Sequence, residues 1–365
     1  MNKIIAKNYK RASSSHLITP LRTLVLCLLV ALIAACAPQT PQVSSAQVAT
    51  LLAEMPAAIT PETPSPVLPA SPTVSPPEAP TITLAPTASS TFTPQPSASP
   101  APDFTVTFAV IGDYGLSGTN AQDVATLVKS WNPDFVITTG DNNYPTGSSS
   151  TIDENIGQYY HEFISPYLGS YGEGADQNRF FPTLGNHDWD TSGAQPYLDY
   201  FTLPGNERYY DVTWGPLHFF ALNSDPRDPD GVSSTSIQAQ WLQDQMEASD
   251  AVWKIVYLHA SPYSSGHHGS TPWMRWPYKE WGADAVLGGH DHTYERLLVD
   301  GITYFVNGVG GGAIYKFRDP IEGSQVRFNA DYGAMLVTAD DQQINFQFIT
   351  RRGEVIDTYS LQASE

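Results

Sequence analysis

Five times between residues 105 and 292 an apolar run of strand length ends in a short polar block. The blocks are GDYG (112–115), GDNNY (140–144), GNHD (185–188), VYLH (256–259) and GHDH (289–292). In open α/β sheets, ligand sites form at the carboxyl ends of strands. Glycine at such an end permits a tight turn and close approach of neighbouring backbone. If the five ends converge, they gather Asp113, Asp141, Tyr144, Asn186, His259, His290 and His292. Oxygen and imidazole donors without a thiolate suit Fe, Mn or Zn. A single Gly-Asp is usually just a turn, and GNHD alone can be a helix cap. The ordered set, each member in a strand-then-loop context, is what points to a metal site.

The surrounding pattern fits that geometry. "FTVTFAVIGD", "DFVITTGD" and "RFFPTLGNHD" read as strands running into their blocks, and "NAQDVATLVKSW" has helical apolar spacing with Asn120 as its cap. Further on come the strands "YYDVTW", "LHFFALNS", "VWKIVYLH" and "ADAVLGGH", with a helix in "STSIQAQWLQDQMEAS". The tail, from "ITYFVNGVGGG" through "YGAMLVTAD", "INFQFIT" and "EVIDTYSL", is a series of short strands separated by turns. Alternating strands and helices followed by consecutive strands predict an α/β fold with two packed sheets.

Residues 1–102 have a different character. Lys3, Lys7, Lys10, Arg11 and Arg22 precede the apolar run Leu24–Ala35, which is short for a membrane span and of the right length for a signal peptide. The run ends in "IAAC", similar to a bacterial lipobox, which makes residues 1–35 a lipoprotein signal peptide and Cys36 the lipidated residue. Cys27 lies inside the apolar run and residues 37–365 hold no cysteine, so an exported chain would have no disulfide. Residues 37–102 hold 16 of the 30 prolines and no Gly, Lys or Arg. Frequent proline breaks helices and ladders, so 36–102 is expected to be a disordered stalk behind the lipid, reaching at most ~200 Å. Within it "AQVATLLAEM" (46–55) has the spacing of a short helix. The domain expected to fold runs from 103 to 365. The chain is therefore expected to be exported and lipid-anchored at a bacterial membrane surface.

Charge narrows the partners. The chain has 37 acidic and 18 basic residues, and five of the basic ones lie before Cys36. The remaining 13 against 37 leave −24 on the mature chain. Such a surface repels nucleic acid, and an anionic substrate then requires something local that reverses the field.

The five blocks together closely resemble those of the calcineurin-like metallophosphoesterases. Within that superfamily they resemble the purple acid phosphatases, whose blocks are GDxG, GDxxY, GNH(D/E), VxxH and GHxH. The resemblance spans about 105–300, and the tyrosine of the second block distinguishes the purple type. It implies a four-layer α/β/β/α sandwich and a dinuclear-metal acid phosphatase acting on a small phosphate ester. Asp113, Asp141, Tyr144 and His292 would hold Fe(III). Asn186, His259 and His290 would hold a divalent Fe, Zn or Mn, with Asp141 bridging. Two carboxylates and a phenolate suit a trivalent hard ion, and neutral amide and imidazole suit a divalent one. Such a pair keeps the site positive inside an acidic protein, can clamp phosphate oxygens and lowers the pKa of a bound water.

The same resemblance makes His187 the candidate to contact the phosphoryl group or to protonate the leaving oxygen, with Asp188 orienting it. Of the pair His267 and His268, His268 is the expected second substrate-facing histidine. Trp273, Trp276 and Trp281 are read as core, Trp189 as an edge of the pocket, and His161 and His218 as structural. Asp291 and Arg296 are read as supports of the last block. The Gly-rich turn 307–312 is by itself weak evidence for phosphate binding. A phosphodiesterase on the same site, and a surface binding protein that kept the fold without turnover, are the competing readings. Relative activity on mono- and diesters separates the first, and any turnover by metal-replete protein separates the second.

Overall fold

The structure, a computed structural model, describes residues 105–363. The leader, Cys36, the stalk and the helix expected at 46–55 lie outside the described residues.

Thirteen strands are described: β1 Val106–Ile111, β2 Phe135–Thr138, β3 Phe180–Pro182, β4 Tyr210–Trp214, β5 Leu217–Ala221, β6 Trp253–Ala260, β7 Ala285–Gly289, β8 Tyr294–Val299, β9 Ile302–Asn307, β10 Ser324–Phe328, β11 Gly333–Ala339, β12 Gln343–Thr350 and β13 Val355–Gln362. The helices used below are α1 Thr119–Ser130, α2 Asn186–Trp189, α3 Gln195–Tyr200 and α4 Ile237–Ala248. The strands form a six-stranded sheet in the order β13-β12-β11-β1-β2-β3 and a seven-stranded sheet in the order β10-β8-β9-β7-β6-β5-β4. β1, β2 and β3 are parallel, with Val110 opposite Ile137 and Ile137 opposite Phe181. In the second sheet β5, β6, β7 and β9 are parallel. Antiparallel strands flank both parallel blocks.

Composition explains this order. β2 (FVIT) and β5 (LHFFA) are buried at every position and sit inside their sheets, as continuous apolar runs require. β13 alternates and is mostly exposed, and it lies at an edge. The sheets pack face to face through aromatic side chains. Phe219 of β5 meets Phe108 of β1 edge-on at 5.0 Å and Phe135 of β2 at 5.1 Å, while Phe305 of β9 meets Phe346 of β12 at 4.8 Å. On the far side of the first sheet α1 buries Ala121, Val124, Ala125 and Val128, the i, i+3, i+4, i+7 stripe of an amphipathic helix. On the far side of the second, α4 packs Ala239, Leu242 and Met246 against Phe220, Leu222, Val256 and Leu258. The result is the expected helix–sheet–sheet–helix sandwich.

Three local expectations are corrected. α1 is capped at Gly118 rather than Asn120, whose side-chain oxygen accepts from Arg351 Nη1 at 2.8 Å instead. β8 and β10 were not expected. β8 begins two residues after His292 and pairs with both β9 and β10. Its mixed sequence YERLLV lacks the apolar density of the central strands because it lies next to the sheet edge.

Candidate metal centre

The five blocks lie just beyond, or at the ends of, β1, β2, β3, β6 and β7, and the parallel direction of these strands turns them toward one another. Three of the expected ligands sit in left-handed backbone: Asp113 (φ 53°), Asp141 (φ 51°) and His290 (φ 72°). That conformation costs an L-residue roughly 1–2 kcal/mol and is most tolerated by Asn, Asp and His. It reverses the chain within one residue of the strand, so the side chain stays at the sheet end. Glycine makes the convergence possible. A Cβ on Gly185 would lie 2.2 Å from Asp141 N, and one on Gly289 would lie 2.6 Å from an Asp113 oxygen.

All seven expected ligands come together, in two groups. In the first, Tyr144 Oη lies 2.9 Å from Asp141 Oδ2, 3.3 Å from Asp113 Oδ1 and 3.0 Å from His292 Nε2. Donor atoms of Asp113, Asp141 and His292 all lie within 4.8 Å of one another, and all three residues are buried. In the second, His259 Nε2 lies 3.0 Å from Asn186 Oδ1 and 3.2 Å from His290 Nδ1. Asp141 joins the groups: its Oδ2 faces Tyr144 and its Oδ1 lies 3.4 Å from His259 Nε2.

This donor set fits cations better than it fits itself. His259 Nδ1 bonds Thr139 O at 2.8 Å and His292 Nδ1 bonds Ala313 O at 2.5 Å. A ring nitrogen facing a carbonyl carries the proton, so both rings turn an Nε2 lone pair inward. One Tyr144 proton cannot serve three acceptors, and the His259 lone pair faces the Asn186 oxygen. A metal ion in each group resolves both conflicts. Burial, then Asp113 and Asp141, push the Tyr144 hydroxyl far above its ordinary range, so its phenolate exists there only beside a strong positive charge. Burial, then His259 and His268, push His290 down to about 2, which keeps that imidazole a neutral donor.

Residues 106–294 match the family model for calcineurin-like phosphoesterases. The chain belongs to that family. It is a purple acid phosphatase-like member. Over 297 residues it is 27% identical to purple acid phosphatase 3 of Arabidopsis thaliana, covering 70% of this chain and 77% of the relative. It is 25% identical over 260 residues to tartrate-resistant acid phosphatase type 5 of Mus musculus, covering 60% and 75%. A purple acid phosphatase from yellow lupin (Lupinus luteus) seeds shares the fold with a TM-score of 0.61 at 18% identity, covering 73% of this chain and 55% of that one. The phosphoesterase is thus a metal-dependent phosphoric ester hydrolase, and its relatives imply a dinuclear metal centre.

Around the centre the expected substrate-side residues divide. The His187 ring packs on Tyr144 at 4.6 Å, its Nδ1 lies 2.6 Å from Pro145 O, and its Nε2 lies 4.0 Å from Asp141 Oδ2. Nε2 is therefore the nitrogen free to carry a proton. Asp188 does not orient it. Its carboxylate turns inward, accepting from Gly185 N, Asn142 N and Asn142 Nδ2. Consecutive helix residues do not share a face, and α2 begins at Asn186. Burial, then the nearby charge of Asp141, push Asp188 up to about 7. The His268 ring stacks on His290 at 4.2 Å, while His267 touches His268 and Tyr315.

Other expectations fared unevenly. Asp291 accepts from His268 N, Gly269 N and Ser264 Oγ, and Arg296 pairs with Asp357, so both are supports as expected. His218 and His161 bond within the scaffold, to Asp211 and Ser249 and to Gly157 O. The Gly-rich turn packs beneath the ligands: a Cβ on Gly308 would lie 2.7 Å from an Asp113 oxygen, and one on Gly312 would lie 2.9 Å from His292 Cε1. Trp189 is buried and bonds Asn223 rather than edging the pocket. Trp276 is core at 4% exposure, but Trp273 is 47% exposed and stands at the site. Sequence reasoning missed Tyr315, stacked on His292 at 4.1 Å, and Arg227, which donates to Asn186 O at 2.8 Å. Neither falls in a block, and their sequence neighbourhoods carry no signal beyond proximity to glycine or aspartate.

Because ligands and metal stabilise each other, Asp141→Ala is expected to lose metal from both groups and His290→Ala chiefly from one, each with a fall in melting temperature. Metal content and calorimetry on the purified variants measure this. Full metal content in both would show that the centre lies elsewhere.

Proposed function

We propose that this phosphoesterase is an acid phosphatase that hydrolyses phosphomonoesters with an Fe(III)–divalent pair, the divalent ion being Fe, Zn or Mn. The carrying observation is the asymmetry of the donor set about Asp141. Asp113, Tyr144 and His292 lie on one side, and Asn186, His259 and His290 lie on the other. Two possible anions meet the first ion and none besides Asp141 meets the second, which matches a trivalent and a divalent occupant. When bound, such a pair clamps phosphoryl oxygens and acidifies a water molecule. His187 offers Nε2 to the substrate side and holds itself through Pro145 O, which suits it to protonate the leaving oxygen. His268 offers a second ring beside His290. The lipobox, stalk and acidic mature chain support a lipid-anchored enzyme at a bacterial membrane surface that takes a small phosphate ester and avoids nucleic acid.

Tyrosinate on Fe(III) gives a charge-transfer band in the visible range. The oxidised protein is expected to be violet to pink, and Tyr144→Phe is expected to abolish the band while sparing the other six ligands. A colourless, iron-free, fully active wild type would overturn the iron assignment and leave the broader phosphoesterase. His187→Ala is expected to keep both metals and lose turnover on the order of 10²-fold, the scale of one acid–base group. The loss is expected to be smaller for esters whose leaving group needs no proton. An equal loss across leaving groups would reduce His187 to positioning. Comparing rates on mono- and diesters tests the substrate class in the same assays. For the anchor, the wild type is expected to enter a detergent phase and Cys36→Ala to remain in the aqueous phase or uncleaved. A mature N-terminus other than Cys36 would refute the lipid anchor.

A further inference from the structure

Beside Asn186, His259 and His290 lies an open cavity of about 100 Å³, and its lining includes Pro226 and Trp273. A half-exposed tryptophan here is unusual, since its ring buries more apolar area than most residues can. The ring is also fixed. Its Nε1 donates to Ser224 O at 3.2 Å, and the Trp273 carbonyl accepts from Trp276 Nε1 at 3.0 Å. The loop it bonds is itself held, because Ser224 Oγ accepts from Ala260 N at 2.8 Å and Arg227 clasps Asp225. A ring that is already immobile loses little rotamer freedom when a ligand stacks on it. Asn186, His259 and His290 leave the cavity itself to the ion and the phosphoryl group, so a substrate ring would rest on the half-exposed indole beside it.

We infer that Trp273 is a specificity-determining residue that stacks on the leaving group, and that the preferred substrate is a phosphomonoester carrying a single planar aromatic ring. This rests on the phosphatase reading above. It adds that an aryl ester gains an indole contact which a short alkyl ester cannot make.

The test uses the metal-replete full chain and two readouts. In hydrolysis, Trp273→Ala is expected to raise KM for phenyl phosphate about tenfold relative to glycerol phosphate, the scale of one aromatic stacking contact. Trp273→Phe is expected to restore most of the difference. In equilibrium binding, the wild type is expected to hold phenylphosphonate more tightly than methylphosphonate, and Trp273→Ala is expected to erase that preference without loss of metal. Equal effects on aryl and alkyl ligands, or none on either, would overturn the inference. A wild type that hydrolyses neither ester would sink the phosphatase reading, while the phosphonate comparison would still decide the role of Trp273.

Discussion

The carboxylate of Asp141 is the point on which the centre turns. It is buried, follows the last residues of β2 in left-handed backbone, and is approached from one side by the Tyr144 hydroxyl at 2.9 Å and from the other by His259 Nε2 at 3.4 Å. Its Oδ1 also accepts from His187 N at 3.0 Å, and its carbonyl accepts from Gly115 N at 3.2 Å. Three of the five blocks are thus tied to one residue. Buried anions crowded in this way are costly unless a cation neutralises them. The loops are therefore built for a charge that the polypeptide does not contain, and metal binding contributes to holding their ends together.

That arrangement answers the problem of an acidic protein with an anionic substrate. Arg227, the cation nearest Asn186, is committed to Asp225 and Asp190 and serves to fix the Asn186 backbone. Field reversal is left to the metal pair, with His187 and His268 at its margin. A positive potential produced by ions in a recess acts over a short range. The surface away from the recess keeps its negative charge.

How much of this was legible follows from where each signal lies. The ligands could be read because each is adjacent in sequence to a strand whose direction was itself readable from an apolar run such as FVIT or AVLGG. The two-sheet sandwich followed from the same runs. Asp188 was misread because adjacency in sequence was taken for adjacency in space, and in a helix neighbouring side chains diverge. Trp273 was misread because near-helical spacing of Trp273, Trp276 and Trp281 suggests a buried stripe, yet only a single 3₁₀ turn, Pro272–Met274, forms there. Tyr315 had no local pattern at all. It reaches His292 because Tyr315 N donates to His292 O at 3.0 Å after the chain has returned through β9 and the glycine turn.

The ten residues LGGHDHTYER show how ligand and substrate-side geometry become one problem. Between β7 and β8 the chain bends through residues 290–293 with His290 in left-handed backbone, and this bend turns His290 and His292 to the centre and Asp291 to the loop 264–269. There Asp291 accepts from two backbone amides and the Ser264 hydroxyl, and a Cβ on Gly266 would lie 2.3 Å from its carboxylate carbon. Glu295, four residues on and fully buried, accepts from Ser265 N and Ser265 Oγ. Each carboxylate has several donors, so its burial is compensated and the loop gains fixed anchors. The loop carries His268 onto the face of His290. A displacement of β7 that moved the ligands would therefore carry His268 with them, and the spacing between the ligands and His268 is set by this segment and the loop it anchors rather than across the sandwich.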